Sequence, residues 1–354
     1  MNKKIMKGYT MTEPGVTGWL EKKCPKPTAL DVIVRPIAVA PCSSDVHNVE
    51  MGWVAPGRIL GHEGLGEIVT VGNDVLDFRV GDKVVIPAVT PNWRSLPAQR
   101  GLHQHCDGLM TGNKLGNTHD GLMAEYTLIQ DADMNLAHLP KCISLSGAAM
   151  IGDMMTTGFY GAELAEVSFG DTVVVIGIGP VGLMAVAGAK LRGAGRIIAV
   201  GSRLGCVEAA RFYGATDIVN YKEGDITKQI YTLTNKHGAD KCIIAGGGDE
   251  TLGQAIALVR WGGIIGNVNY FATLGNLTIP NTRWGFGIGN KTIRGGQCPG
   301  GRVRMEALIA MVENGRVDPS RLITHTFNGL SGIESAFQIM KKKPPQLIKP
   351  LVLL

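Results

Sequence analysis

The chain has 354 residues, 45% hydrophobic and 18% charged, a balance that suits a folded, water-soluble protein, and its length suits two domains at about 100–200 residues each. The net charge of +5 is dispersed, and the densest basic runs, at 3–7 and 341–343, are too short for a nucleic-acid arm; no run of about 18 apolar residues is present to span a bilayer. Neither nucleic acid nor membrane is therefore an expected partner. The seven cysteines (Cys24, Cys42, Cys106, Cys142, Cys206, Cys242 and Cys298) are odd in number, far apart and never in C-x-x-C spacing. No disulfide framework is expected, and with no apolar segment after the first lysines the expected location is cytoplasmic.

Residues 1–155 read as short strands separated by turns. Apolar runs bounded by Gly, Pro and Asp occur at 31–41 (DVIVRPIAVAP), 66–72 (GEIVTVG) and 82–89 (DKVVIPAV), and such runs are strand signals. The stretch 90–120 is polar, Gly-rich and aperiodic, so a long surface loop is expected. Near Met154 strands begin to alternate with helices. TVVVI at 172–176 is a continuous apolar run, as a strand buried on both faces requires. A helix over 179–191, a strand over 196–200, a helix over 206–213 and a strand over 216–220 follow, with later strands at 241–245, 263–268 and 292–295. That alternation predicts an α/β, doubly wound parallel sheet. The tail, 304–354, predicts two helices and a final strand folded back onto the first domain. The expected division is 1–155 with 300–354, and 156–299.

Gly177, Ile178, Gly179, Pro180, Val181 and Gly182 fit G-x-G-x-x-G between a strand and a helix. There the pattern means a dinucleotide site, with pyrophosphate against the helix N-terminus; the alternative is a Gly-rich turn in a sheet that binds nothing. The second strand ends in Gly201, Ser202 and Arg203. An acidic side chain here would mark NAD. Its replacement by Gly201, with Ser202 and Arg203 as donors and Tyr221 nearby, predicts a 2′-phosphate and hence NADP(H). The alternative is that Arg203 is a solvated loop charge.

Gly61-His62-Glu63-Gly64-Leu65-Gly66, followed by Gly72 and Val75, is similar to the zinc signature of medium-chain alcohol dehydrogenases. APCSSD, DMMTTGF, GATDIVNYK, NVNYF and CPGGRVRM extend the resemblance nearly end to end. It is strongest to the NADP-dependent secondary alcohol dehydrogenases of anaerobic bacteria and amoebae. The resemblance implies a Rossmann-type domain beside a mostly β, GroES-like catalytic domain, and the interconversion of small secondary alcohols and ketones. It places zinc on Cys42, His62 and Asp153, with Glu63 able to take the fourth position or to remain outside. Thiolate, carboxylate and neutral imidazole would leave a divalent zinc site neutral and Lewis acidic, with one position open to substrate oxygen. Taken singly, Cys42 reads as a small buried residue, His62 as a core or loop histidine and Asp153 as a helix cap. Many relatives hold a second, structural zinc with four close cysteines; this chain has only Cys106 there, with His103, His105 and His119 nearby, so one zinc per chain is expected.

The resemblance also implies a proton relay from Ser44 to His47, and cofactor contacts at Val268, Asn269, Tyr270 and Lys343. It puts Asn113, Gln297 and Cys298 in the substrate pocket, where Asn113 stands for a Trp and Gln297 for a Leu of relatives, and it favours a homotetramer. The competing readings are a zinc-free quinone or enone reductase of the same fold, and a non-catalytic NADPH-binding protein.

Overall fold

Residues 5–23 double back at Pro14-Gly15, where Gly15 takes a φ of 83°, and pair as an antiparallel hairpin of β1 (Ile5–Glu13) and β2 (Val16–Lys23). The computed structural model describes residues 4–106, 112–272 and 275–354. They form two compact units, Met1–Thr156 with Cys298–Leu354, and Thr157–Gln297.

In the first unit, β3 (Val32–Val39), β4 (Gly64–Val71), β5 (Lys83–Ile86), β6 (Thr127–Ile129) and β7 (Ala137–His138) join antiparallel. Helix α1 (Ser43–Glu50) fills the connection between β3 and β4. The inward residues Val32, Val34, Leu60, Ile68, Val84, Ile86, Leu122 and Ile129 make one core. The segment expected as a surface loop over 90–120 is partly interior. Thr90, Gln104, Cys106, Asn113 and Leu115 are buried, short turns form at Leu96–Gln99 and His103–His105, and Trp93 stacks on His103 with centroids 4.9 Å apart. Scattered aromatic and polar anchors hold it, and these leave no period to read. Residues 107–111, which take in the first four residues of the GLMTGNKLGN stretch, lie outside the described residues.

The second unit is built on β8 (Thr172–Ile176), β9 (Arg196–Val200), β10 (Asp217–Val219), β11 (Ala239–Ile244), β12 (Val259–Asn267) and β13 (Thr292–Gly295). All pair in parallel in the order β10-β9-β8-β11-β12-β13. Val173, Val174 and Val175 of the central β8 are fully buried, at about 1.5–3 kcal/mol of stabilisation per side chain. A short helix α2 (Thr156–Leu164) leads into the unit, and α3 (Pro180–Leu191), α4 (Leu204–Tyr213), α5 (Ile226–Leu233) and α6 (Glu250–Leu258) connect its strands. The chain order reverses between β8 and β11, the switch point at which such sheets take ligands.

The tail adds α7 (Arg302–Glu313), β14 (Ile323–Asn328), α8 (Ser331–Lys342) and β15 (Lys349–Leu353) to the first unit. β15 lies between β14, to which it is parallel, and β3, to which it is antiparallel. Its N-terminal residues are therefore interior, including Lys349 at 0% exposure.

Candidate metal centre and dinucleotide site

Four side chains converge inside the first unit. Cys42 stands at the N-cap of α1. His62 and Glu63 end the connection into β4. Asp153 sits in a π-helical turn, Ile151–Met155. Wide turns of this type recur at functional sites. This one lies hard against β5, since a Cβ on Gly152 would meet Ile86 O at 2.2 Å. One ligand atom each from Cys42, His62, Glu63 and Asp153 lie within 4.8 Å of one another. Glu63 and Asp153 are buried, while Cys42 and His62 are partly exposed, so the cluster has a closed side and an accessible one.

The imidazole is oriented by its neighbours. His62 Nδ1 is 3.1 Å from Asp45 Oδ1, and Asp45, fully buried, also accepts from the backbone N–H of Cys42 at 2.9 Å and of Gly61 at 3.1 Å. A proton on Nδ1 shared with Asp45 leaves the Nε2 lone pair for a cation, the usual support of a metal-ligating histidine. Nε2 faces Asp153 Oδ2 at 3.4 Å, Glu63 Oε1 at 3.7 Å and Ser44 Oγ at 3.2 Å. Asp45 was legible only as the last letter of APCSSD. A second residue that sequence reasoning missed is Lys349, whose Nζ is 2.5 Å from Glu63 Oε1; its one signal was a lysine inside an apolar strand.

Charge settles the protonation of this group. Burial pushes the Cys42 thiol up, but the Lys349 ammonium and His62 outweigh it and bring it down to about 6, making a thiolate available near neutral pH. Burial likewise raises Asp45, yet His62 and the backbone donors hold it below the usual carboxylate range. Burial pushes Glu63 well up, with Lys349 working against it. Lys349 remains an ammonium because Cys42 and Glu63 override its burial. His62 is raised well above its ordinary value, Asp45 overcoming burial; a divalent cation would displace that proton, as metal binding does. One sulfur, one imidazole nitrogen and two carboxylates form a donor set that fits zinc. Glu63 Oε2, buried, has no hydrogen-bond partner among the described residues, which also suits a cation nearby.

Ser44 and His47 are one turn apart on α1, hence on one face. Burial, then Lys343, lowers the His47 pKa. Lys343 itself is the C-cap of α8, with a φ of 45°. Asn113 is buried, its amide donating to Gln130 Oε1 at 3.0 Å and its carbonyl accepting from Thr90 N at 2.9 Å. Cys298 packs with Ala88 and Val89. Gln297 is the last residue of the second unit. Among the described residues the group around Cys42 is the one that gathers three or more such donors; His103 stacks on Trp93, and His119 pairs with Thr118 Oγ1 at 3.1 Å.

In the second unit the glycine-rich turn follows β8 directly. Gly177 has a φ of 86°, and a Cβ on Gly182 would meet Gly177 O at 1.7 Å, whereas one on Gly179 would meet nothing within 4 Å. The outer glycines permit the turn and the close seating of α3; the middle one leaves open space at the helix N-terminus, where a pyrophosphate is favoured. Gly201, Ser202 and Arg203 follow β9, Tyr221 follows β10, and Val268, Asn269 and Tyr270 follow β12. All therefore lie at the carboxyl edge of the parallel sheet. Asn269 is held by its neighbours, its backbone N–H donating to Asn267 Oδ1 at 3.2 Å and its amide to Gly247 O at 3.3 Å.

A parallel sheet with this turn, joined in one chain to an antiparallel unit bearing a buried sulfur, nitrogen and oxygen donor set, defines a metal-containing, dinucleotide-dependent dehydrogenase. The alcohol dehydrogenase GroES-like domain model matches residues 28–141, and the zinc-binding dehydrogenase model residues 180–314. The chain is 58% identical over 351 residues to the NADP-dependent isopropanol dehydrogenase of Thermoanaerobacter brockii, covering 99% of this chain and 100% of that protein. It is 55% identical over 351 residues to that of Clostridium beijerinckii, with 99% and 100% covered. Among solved structures, alcohol dehydrogenase TADH from Thermus sp. ATN1 matches with a TM-score of 0.86 at 28% identity, over 98% of this chain and 99% of that one. The chain belongs to the zinc-dependent medium-chain alcohol dehydrogenase family.

Proposed function

We propose that this protein interconverts small secondary alcohols and ketones with NADP(H), using one zinc ion per chain and no structural zinc. The observation that carries the reading is the convergence of Cys42, His62, Glu63 and Asp153 within 4.8 Å, in a chain 58% identical to an NADP-dependent isopropanol dehydrogenase. Cys42, His62 and Asp153 would hold the metal, with Glu63 able to occupy the fourth position. Bound there, zinc supplies Lewis acidity toward the substrate oxygen. The protein's own groups do the rest. Ser44 Oγ, beside the metal-facing nitrogen of His62, takes the hydroxyl proton of the alcohol and passes it to His47, which delivers it to solvent. The unit Thr157–Gln297 is the dinucleotide-binding domain and the remainder the catalytic domain. Gly177 to Gly182 seat the pyrophosphate, Gly201, Ser202, Arg203 and Tyr221 receive the 2′-phosphate, and Val268, Asn269, Tyr270 and Lys343 complete the cofactor contacts.

The substrate pocket is assigned to Asn113, Gln297 and Cys298, and is roomier and more polar than in relatives with Trp and Leu at the first two positions. Asn113→Trp should therefore move the ratio of kcat/KM values toward acetone and away from a bulky ketone; an unmoved ratio removes Asn113 from the pocket. The assembly is a cytoplasmic homotetramer. Trp261, Phe286 and Ile288 are exposed near the edge strand β13, and such apolar surface suits a subunit interface. The decisive experiment is a ketone panel assayed with NADPH and NADH while zinc is counted on the same sample. Ketone reduction by a metal-free preparation would favour the zinc-free reductase, and zinc-loaded protein inert toward every ketone would favour a binding protein.

A further inference from the structure

Lys349 is the only lysine wholly out of solvent among the described residues. Its ammonium has two neighbours in reach, Glu63 Oε1 at 2.5 Å and Met154 Sδ at 3.8 Å. A buried ammonium is costly without an anion, and the sulfur supplies none; Glu63 is the anion hydrogen-bonded to Lys349, and the Cys42 thiolate adds to its charge balance. The oxygen it takes is also the one that stands 3.7 Å from His62 Nε2, the nitrogen turned toward the other donors. Glu63 Oε2 has no partner among the described residues. The atom of Glu63 that faces the cluster is thus already engaged by a cation. The charges agree with this arrangement. A thiolate at Cys42 and carboxylates at Glu63 and Asp153, with the ammonium, leave two net negative charges, which a divalent ion cancels. Without Lys349 three would remain around the same ion.

We propose that Lys349 is a positioning residue that competes with the metal for Glu63 Oε1, so that Glu63 is a weakly held ligand readily displaced by the substrate oxygen. This rests on the reading of the cluster as a zinc site. The ammonium lowers the electron density that Oε1 can offer a second cation, and it repels that cation directly. Glu63 then closes the fourth position when nothing else does, and yields when substrate arrives. A lysine that merely fills space in β15 would have no such effect, and its removal would loosen the centre.

The two roles predict opposite signs for metal release. Zinc transfer from the holoenzyme to a chromogenic chelator is followed for the parent, Lys349→Met and Glu63→Gln/Lys349→Met. Neighbours of metal ligands commonly change metal affinity by about 10–100-fold, so Lys349→Met should release zinc about tenfold more slowly, because Glu63 now binds without a competitor. The double variant, which removes both charges together, should return to within about threefold of the parent. A rate in Lys349→Met slowed by less than about threefold, or accelerated, overturns the proposal, as does slow release that persists in the double variant. Should Lys349→Met fail to fold, the charge-balanced double variant decides alone: release about tenfold faster than the parent would mark Glu63 as a full ligand and overturn the proposal. A parent protein that carries no zinc overturns the metal reading itself, a result distinct from any of these.

Discussion

At Gly201 two demands meet. An acidic residue there would select NAD by accepting from the ribose 2′-hydroxyl, and any side chain would meet Ile178 of the glycine-rich turn, since a Cβ would lie 2.1 Å from Ile178 Cγ1. The glycine removes the acid and lets Ile178 seat. Preference for NADP(H) should be about tenfold or more in kcat/KM, because a charge-assisted hydrogen bond contributes about 1.5–3 kcal/mol. Gly201→Asp with Arg203→Ala should reverse the preference while weakening both cofactors, as Ile178 is pushed aside; equal kcat/KM for the two cofactors in the parent would sink the assignment. His47 yields a pH prediction. Its pKa is held below 6.5 by burial and then Lys343, so at pH 7 it is neutral and can accept a proton. Alcohol oxidation should decline only as pH drops beneath 6.5, and His47→Gln should lower the rate by about tenfold and flatten that limb. A pH profile identical to the parent's would exclude His47 from the proton path. Among single residues, Cys42, His62, Glu63 and Asp153 were brought together by the family resemblance that APCSSD, GHEGLG and DMMTTGF carry, and not by spacing alone. Asp45 and Lys349 were not. Their meaning comes from partners 17 and 286 positions away, and neither a buried carboxylate nor a lysine in a strand announces its partner.

The elements divide by the same logic. β8 was readable to the residue because a strand buried on both faces leaves an unbroken apolar run, and α3 because its glycine-rich start and Ala-rich body point the same way. The hairpin of β1 and β2 was not, since β2 is largely exposed and reads VTGWLEKK without clean alternation. The π-helical turn at 151–155 was invisible for another reason. IGDMM has no local feature separating an α from a π turn, and the tertiary contact it makes, Gly152 against the carbonyl of Ile86, is not written in the segment. That contact makes a prediction. Gly152→Ala puts a Cβ 2.2 Å from backbone rather than from a flexible side chain, so the turn must move. Overpacking of this kind costs about 1–3 kcal/mol, and Asp153 would move with its neighbour. Zinc content should fall along with the unfolding temperature. Full zinc occupancy in a destabilised Gly152→Ala protein would mean that Asp153 does not depend on this packing.

On the scale of the whole molecule, the two candidate sites fall in different compact units. The candidate metal donors, with Asp45 and Lys349, belong to Met1–Thr156 with Cys298–Leu354, whereas the glycine-rich turn and the residues after β9, β10 and β12 belong to Thr157–Gln297. The candidate donors come from three separate places, the start of α1, the connection into β4 and the π-helical turn, while Lys349 brings β15 against Glu63. A cation bound there ties these segments together only in the folded state. A ligand at about 100 times its Kd stabilises by about 2.7 kcal/mol, and each kcal/mol is worth about 2–4 °C in a unit of this size. Chelation, or Cys42→Ala, should therefore lower the first unit's unfolding temperature by about 5 °C or more. The same treatment should leave NADP+ binding, measured by fluorescence titration, within about threefold, since no metal ligand lies in the unit that holds the phosphate-binding turn. Metal analysis before chelation should count one zinc per chain. A second tightly held zinc would contradict the absence of a structural site, and loss of NADP+ binding with the metal would show that the two units do not bind their ligands independently.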